Sequence, residues 1–273
     1  MSLDAQAFHY VRGLLHANSG MLLEAGKEYL VEARLLPLAE SAGQGTVQRY
    51  IDRLRTTPVG VDHWAAIEAM TTNETSFYRD LHPFESLRMK IIPALIDARG
   101  QQRTLEIWSA ACSSGQEPYS VAMILREHFA ILSRWRCRIR ASDIARGVLK
   151  RAREGLYNQA EISRGMPPEL LAKYFDREGS QWRLSSKIRQ MVEFFEFNLT
   201  SRWSSMPPMD FVLLRNVLIY FDVRTKRSIL EKVRRVLRPD GYLLLGNAET
   251  VRGVHEGFEP LADDRGGWHR VRT

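Results

Sequence analysis

Between residues 105 and 246, short apolar runs alternate with amphipathic stretches, and this alternation restricts the fold more than any other feature of the chain. Leu105-Glu106-Ile107-Trp108 is a short apolar strand, and Ile139 to Asp143 is a second that ends in an acid. Met209 to Leu214 is strongly apolar, and Tyr242 to Gly246 is the next strand. The intervening segments have helical spacing. One opens at Glu117-Pro118, with the proline in the first turn where its missing N–H costs nothing. Another runs from Ile144 to Arg153. A third, Arg224 to Leu237, carries Ile229, Leu230, Val233, Val236 and Leu237 on one face and stops at Pro239-Asp240-Gly241. Strands joined by helices are βαβ units, and they build a mostly parallel α/β sheet. Trp182-Arg183-Leu184 and Met191 to Phe197 read as further strands in a less regular stretch.

The first ~70 residues contrast with this, because they show no period-2 segment. Phe8, Val11, Leu14 and Leu15 share one helical face, and Tyr29, Leu30, Ala33 and Leu36 form a second stripe. Val47, Tyr50, Ile51 and Leu54 form a third, and Trp64, Ile67 and Met70 a short fourth. Four short helices make a small helical domain. The total of 273 residues accommodates about two domains. Phe84 to Ala98 reads as one helix leading into the α/β part.

Composition narrows the partners. The chain carries 39 Lys and Arg against 32 Asp and Glu, a net charge of +7, which suits nucleic acid, a membrane surface or an acidic protein. No apolar run has the ~18–20 residues of a membrane span, and the N-terminus lacks a secretory pattern. The two cysteines, Cys112 and Cys137, therefore read as reduced cytosolic thiols, too few for a structural zinc site.

Four segments carry chemistry. The small-residue turn Ser109 to Gly115 follows a strand and precedes a helix, so a ligand can approach its backbone and the helix N–H groups. It has one glycine and lacks the Gly-x-Gly-x-x-Gly phosphate pattern, which fits a phosphate-free ligand such as an adenosyl sulfonium; a plain βα turn is the ordinary alternative. Asp143 at a strand end either accepts from ribose hydroxyls or caps the helix after it. Arg215 and Asn216 end an apolar strand at the edge where α/β sheets bind ligands; a satisfied strand-end Asn is the ordinary alternative. Thr71 to Asp80, polar groups beside aromatics, joins the two regions, and a capped helix start would explain it as well.

These segments together resemble the chemotaxis receptor methyltransferase (CheR) family. The matching pieces are TTNETSFYRD (71–80), WSAACSSGQEPYS (108–120), ASDI (141–144), FNLT (197–200), RNVLIYFD (215–222) and GYLLLGNAE (241–249), with GMLLEAGKEYLVEARL (20–35) resembling the helical domain. The resemblance implies a Rossmann-like class I methyltransferase domain over 84–273. A small antiparallel β-subdomain is inserted at about 176–197. An all-α domain over 1–70 precedes it for receptor docking, and a linker motif over 71–83 contributes to the donor site.

It further implies a cytoplasmic enzyme that uses S-adenosylmethionine, and no metal, to methylate glutamate carboxylates of chemoreceptors, with S-adenosylhomocysteine as product. Positions matching family donor contacts are Asn73, Thr75, Arg79, Ala111, Glu117, Asp143, Asn198, Leu199, Asn216 and Val217. Cys112 and Gln116 depart from the usual family turn without removing the acid Glu117. Arg79 and Tyr220 are the candidates for positioning the substrate carboxylate. Expected partners are the anionic methylation helices of membrane chemoreceptors and accessory regulatory proteins, with no nucleic acid and no membrane insertion. Lys27, Arg34, Arg49 and Arg53 form the candidate docking face. The alternating Arg134, Arg136, Arg138 and Arg140 read first as solvation or protection of a sheet edge.

Rival readings are a nucleic-acid methyltransferase, a small-molecule methyltransferase and a non-catalytic donor-binding adaptor. The first lacks an Asn/Asp-Pro-Pro-aromatic motif, since the strand end reads Arg215-Asn216-Val217-Leu218. The second leaves the basic helical domain without a purpose, and the third leaves the intact polar set unexplained.

Overall fold

The computed structural model describes residues 3–204, 206–262, 264 and 266–272. By its contacts the chain divides into two compact units. One is Met1–Thr72 with Tyr220–Thr225, and the other is Asn73–Ile219 with Lys226–Thr273.

The first unit holds four helices, α1 (Ala5–Ser19), α2 (Glu28–Ser41), α3 (Val47–Thr56) and α4 (Val61–Met70), the number the stripes predict. On α2 the buried face differs from the predicted stripe: Tyr29, Ala33 and Leu36 are exposed, and Val31, Leu35 and Ala39 are buried instead. Asp4 caps α1 and Thr46 caps α3 through side-chain oxygens, satisfying N–H groups that the helices leave open. Phe8, Val11, Leu15, Val31, Leu35, Tyr50, Ile51, Leu54 and Ile67 share one core. Arg34 closes the end of α4, donating from Nη1 to the carbonyls of Met70 (2.5 Å) and Thr71 (3.0 Å) and from Nη2 to Thr72 Oγ1 (3.0 Å).

The second unit begins with α5 (His82–Ser86) and α6 (Ile92–Arg99), separated by a π turn over Leu87–Ile91. The sequence predicts one continuous helix here. Pro93 is the reason for the break: its ring clashes with the carbonyl four residues back. Shifting the ladder by one residue, so that Ile92 N donates to Leu87 O, relieves the clash. The rest runs β1 (Thr104–Ala110), α7 (Gln116–His128), β2 (Arg136–Asp143), α8 (Arg146–Glu154), β3 (Leu156–Asn158), α9 (Gln159–Ser163), α10 (Pro168–Tyr174), β4 (Phe175–Glu178), β5 (Gln181–Leu184), α11 (Ser186–Arg189), β6 (Val192–Glu196), β7 (Met209–Leu214), α12 (Val223–Val236), β8 (Leu237–Leu245), β9 (Phe258–Pro260) and β10 (Trp268–Val271).

The main sheet has seven strands in the order β6-β2-β1-β7-β8-β10-β9. The pairs among β6, β2, β1, β7 and β8 are parallel, and β10 and β9 are antiparallel additions. Burial of all six residues of β7 gives the continuous apolar run expected of a strand covered on both faces. Strand order proceeds outward from β1 in both directions, so the chain reverses between β1 and β7. A crevice outside the carboxyl ends of these strands is where open α/β sheets take ligands.

Three expectations change. The antiparallel insert is the three-stranded sheet β3-β5-β4, so it starts at Leu156 rather than about 176 and ends at Leu184. The segment expected to complete it, β6, instead pairs parallel with β2 in the main sheet. Its apolar residues gain more from covering that sheet than from a short exposed ribbon. Of the arginine series, Arg134 ends a 3₁₀ turn, and Arg136, Arg138 and Arg140 lie on β2, which is an interior strand; Arg140 bridges Glu106 and Glu193 at 3.6 Å each. Arg140 pairs charges across strands, Arg136 and Arg138 are exposed, and an interior strand has no edge for them to protect. The strand predicted from Tyr242 begins at Leu237, because Pro239-Asp240-Gly241 is absorbed by an irregular register between β7 and β8.

At the amino-terminal ends of the central strands, Asp210 accepts from Glu106 N (2.7 Å) and Arg99 Nε (2.7 Å). Arg99 also forks onto Asp240 with bonds of 2.8 and 2.6 Å. Among the described residues, no helix is long and apolar enough to cross a membrane.

Candidate functional site at the carboxyl ends of the sheet

The candidate donor residues of the α/β unit follow the carboxyl ends of four adjacent strands. Ala111 and Glu117 follow β1, Asp143 ends β2, Asn198 and Leu199 follow β6, and Asn216 and Val217 follow β7. Segments far apart in sequence thus line one edge because parallel strands all finish there.

The turn after β1 reverses sharply. Ala111 and Ser113 have φ of 56° and 51°, and Gly115 has φ of 92°. A Cβ on Gly115 would lie 3.0–3.2 Å from Ala152, Tyr119 and Phe194, so both conformation and space require glycine there. Asp143 holds this turn: Oδ2 accepts from Ser113 N (2.9 Å) and Oδ1 from Ala145 N (3.0 Å). The capping alternative is not realised: the N-cap of α8 is Ala145, with no side-chain cap bond, and these two donors to Asp143 both lie before the helix. A carboxylate offers about four acceptor sites, so this clasp is compatible with accepting ribose hydroxyls as well.

Glu117 is buried in the first turn of α7. Its Oε1 accepts from Ser109 Oγ (2.8 Å) and its Oε2 from Arg215 Nη1 (3.1 Å). Arg215, with its side chain 2% exposed, also donates from Nη2 to Arg79 O (2.9 Å) and to Asp80 Oδ2 (2.7 Å). The linker motif is thereby part of the sheet edge. Ser113 Oγ donates to Asn73 O (2.8 Å) and Tyr78 N donates to Ser120 Oγ (3.0 Å). Thr75 and Arg79 line a groove of about 350 Å³ together with Arg164, and Arg79 Nη1 donates to Glu74 O (3.0 Å).

The loops after β6 and β7 are each held by a charged side chain. Lys232 on α12 donates to the carbonyls of Leu199 (3.2 Å), Thr200 (3.1 Å) and Ser201 (2.7 Å). Burial lowers its pKa from the usual lysine value. Asn198 Oδ1 accepts from Thr200 N (2.9 Å) in a local turn. On the other side, Glu249 accepts from the backbone of residues 216–219. Burial beside Asp143 and Glu117 raises the Cys112 thiol well above its ordinary pKa, so it is a packed, inert group.

The remaining predicted residues divide. Tyr220 ends a short 3₁₀ turn, Leu218–Tyr220, and by its contacts belongs to the helical unit, where its carbonyl accepts from Leu22 N (2.8 Å). In that unit Arg49 is exposed and Lys27 lies 5.9 Å from the Tyr29 ring centroid. Arg34 and Arg53 are committed elsewhere. Arg34 caps α4 as described, and Arg53 pairs with Asp62 at 2.5 Å and lies over the Tyr50 ring. Both guanidiniums have partners within their own unit.

The structuring roles of Arg215, Lys232 and Glu249 escape a motif reading. Arg215 had a signal, since a buried arginine at the end of an apolar strand requires an anionic partner, and Glu117 and Asp80 both lie in the quoted motifs. Lys232 had none, because it sits on an ordinary basic helix face.

A mainly parallel sheet with polar residues following the carboxyl ends of four adjacent strands defines a ligand-binding α/β domain. Acids at 117 and 143 fit a ligand that carries ribose hydroxyls and positive charge, as S-adenosylmethionine does. Residues 73–266 match the family model described as CheR methyltransferase, SAM binding domain, and residues 6–71 match CheR methyltransferase, all-alpha domain. The chain belongs to the CheR methyltransferase family. It is 38% identical to Chemotaxis protein methyltransferase 1 of Pseudomonas aeruginosa, over 100% of both chains. It is 39% identical to Chemotaxis protein methyltransferase Cher2 of Pseudomonas putida, over 95% of each. It is 34% identical to a chemotaxis protein methyltransferase of Vibrio parahaemolyticus, over 95% of this chain and 94% of the relative. It is an S-adenosylmethionine-dependent methyltransferase of chemotaxis.

Proposed function

We propose that this enzyme transfers the methyl group of S-adenosylmethionine to glutamate side-chain carboxylates on the methylation helices of membrane chemoreceptors. The products are glutamate methyl esters and S-adenosylhomocysteine, and the reaction takes place in the cytoplasm. The observation that carries this reading is the alignment of polar residues after four adjacent strand ends, in a chain that matches chemotaxis protein methyltransferases over its whole length.

When bound, the donor supplies a methyl group activated on a cationic sulfur. Asp143 accepts from the ribose hydroxyls. Asn73, Thr75 and Arg79 from the linker, Ala111 and Glu117 from the β1–α7 segment, and Asn198, Leu199, Asn216 and Val217 from the far loops surround the rest. A glutamate side chain ordinarily ionises at a pKa of about 4.3, so it is anionic at pH 7. It needs no general base to attack. The protein's work is to hold the carboxylate in line and exclude water, and positioning of this kind supplies roughly 7–11 kcal/mol of a barrier.

Arg79 orients the substrate carboxylate from the groove it lines. It does so without a tight bidentate fork, which would draw electron density from the nucleophile. The Tyr220 hydroxyl is the second positioning group. Lys27 and Arg49, the docking candidates not committed to structure, attract the acidic receptor helices, and accessory regulatory proteins act on the same adaptation step.

The test is transfer of labelled methyl from the donor to receptor-containing membranes. Label released by mild base marks a carboxyl ester. A base-stable label overturns the glutamate assignment, and wild-type transfer by Arg79→Ala or Tyr220→Phe removes that residue from it.

A further inference from the structure

Four consecutive backbone amides after β7 converge on one carboxylate. Glu249 Oε2 accepts from Asn216 N (2.7 Å), and Oε1 accepts from Val217 N (2.9 Å), Leu218 N (2.7 Å) and Ile219 N (3.3 Å). A fifth bond comes from Gly246 N to Oε2 at 2.8 Å. Successive N–H groups turned to one side form a concavity suited to an anion, and here the chain supplies the anion itself. Register explains the proximity: Leu214 of β7 faces Leu245 of β8, so the segments leaving the two strands emerge side by side. The turn Gly246–Glu249, closed by Glu249 N donating to Gly246 O (2.9 Å), folds the carboxylate back under the neighbouring loop.

The arrangement has two local requirements. Asn216 has φ of 57°, a left-handed conformation that asparagine tolerates better than most residues. Gly246 must lack a side chain, because a Cβ there would lie 2.8 Å from both Asn216 Nδ2 and Glu249 Oε2 and 2.9 Å from Asn216 N. Without the carboxylate, the amides of residues 216–219 lose their shared acceptor, and those of 216–218, which are part-buried, do not persist unpaired.

We propose that Glu249 is a positioning residue of the donor site. It does not contact the donor; it sets the backbone of residues 216–219 so that Asn216 and Val217 present their groups to it. This inference rests on the donor-site reading above, and binding of the product, which requires no receptor and no turnover, tests it separately from the glutamate assignment.

The experiment compares S-adenosylhomocysteine affinity by calorimetry, well below the melting temperature, with hydrogen exchange of amides 216–219. Glu249→Gln replaces one acceptor oxygen with an NH₂ that faces other donors. The expected result is affinity at least about tenfold weaker and faster exchange of the four amides. The donor KM should rise while the receptor KM stays unchanged. Gly246→Ala, which keeps every charge but pushes into the same contact, is expected to act in the same direction and serves if Glu249→Gln does not fold. Affinity within about twofold of wild type in the folded variants, even with a lowered melting temperature, assigns Glu249 to stability alone and overturns the inference. Wild-type protein that does not bind S-adenosylhomocysteine overturns the donor-site reading and the inference with it.

Discussion

Arg215 and Glu117 meet side chain to side chain, Nη1 to Oε2 at 3.1 Å, with side chains only 2% and 11% exposed. The pair joins the end of β7 to the first turn of α7 across the strand reversal. Because Arg215 also holds Arg79 O and Asp80, one guanidinium ties three candidate donor segments together.

Breaking a buried ion pair by removing one partner leaves the other charge uncompensated, at a cost of about 3–5 kcal/mol. Arg215→Ala is therefore expected to lower the unfolding free energy by that order in denaturant titrations. A Glu117→Gln/Arg215→Ala double-mutant cycle should show strong coupling. Additive effects would mean that the pair contributes little.

Asp143→Ala should weaken S-adenosylhomocysteine binding and also destabilise the turn after β1, because Ser113 N and Ala145 N lose their acceptor. Two lost bonds of roughly 1 kcal/mol each set the scale of the stability effect. Calorimetry and thermal melting separate the two roles. Unchanged affinity with a lowered melting temperature would leave Asp143 as a clasp only.

Lys232→Met removes three donors from the carbonyls of residues 199–201 while keeping the aliphatic stem. The loop should loosen at a cost of about 1–3 kcal/mol. Trp203 marks the loop, since its Nε1 donates to Leu199 O and its ring lies 5.7 Å from Lys232 Nζ. Hydrogen exchange at the Trp203 indole N–H and at the loop amides should be faster than in wild type. Unaltered exchange would argue against loosening.

Charge reversal at Lys27 and Arg49 is expected to weaken receptor binding at low ionic strength, with the difference from wild type shrinking as salt screens it. Arg34→Ala should behave differently. It strips the carbonyls at the end of α4 of their donor and lowers the melting temperature, while the salt dependence of receptor binding stays that of wild type.

Hydrogen bonds from Arg99 hold the Asp240 carboxyl below its ordinary value of 3.8. A carboxyl depressed in the folded state contributes stability that is complete above the unfolded pKa and is lost as pH falls through the folded value. Melting temperature should accordingly fall below about pH 4, less steeply for Asp240→Asn than for wild type. Parallel acid limbs would show that other carboxylates dominate.

Much of the architecture was legible in residue pattern. Three of the four helical stripes of the first 70 residues are the buried faces of their helices, because burial on one face imposes a period; on α2 the buried face is Val31, Leu35 and Ala39 rather than the stripe through Tyr29 and Leu36. The strands at 105, 139 and 209 are found where apolar runs put them, because a strand covered on both faces needs apolar residues throughout. Strands β9 and β10 left no such trace. They are short, and residues such as His269 and Arg270 follow no apolar alternation; only pairing with β8 makes them strands. The segment 192–196 was legible as a strand but not as a member of the main sheet, since pairing partners are not encoded in local pattern.

The candidate site divides in the same way. Asp143, Glu117 and Asn216 were visible because each falls at a strand end or helix start, and local sequence determines those boundaries. Sequence by itself determined a helical domain, a parallel α/β domain and an ordered set of motifs that names the family. Tertiary structure alone decided that Arg34 and Arg53 serve their own helices, that Arg215 binds the linker to the sheet edge, and that Glu249 and Lys232 hold the two far loops. The physical reason is distance along the chain. A charged side chain takes whichever opposite charge or open backbone group the fold brings within about 3 Å, and packing of the sheet chooses that partner from segments tens to more than a hundred residues away.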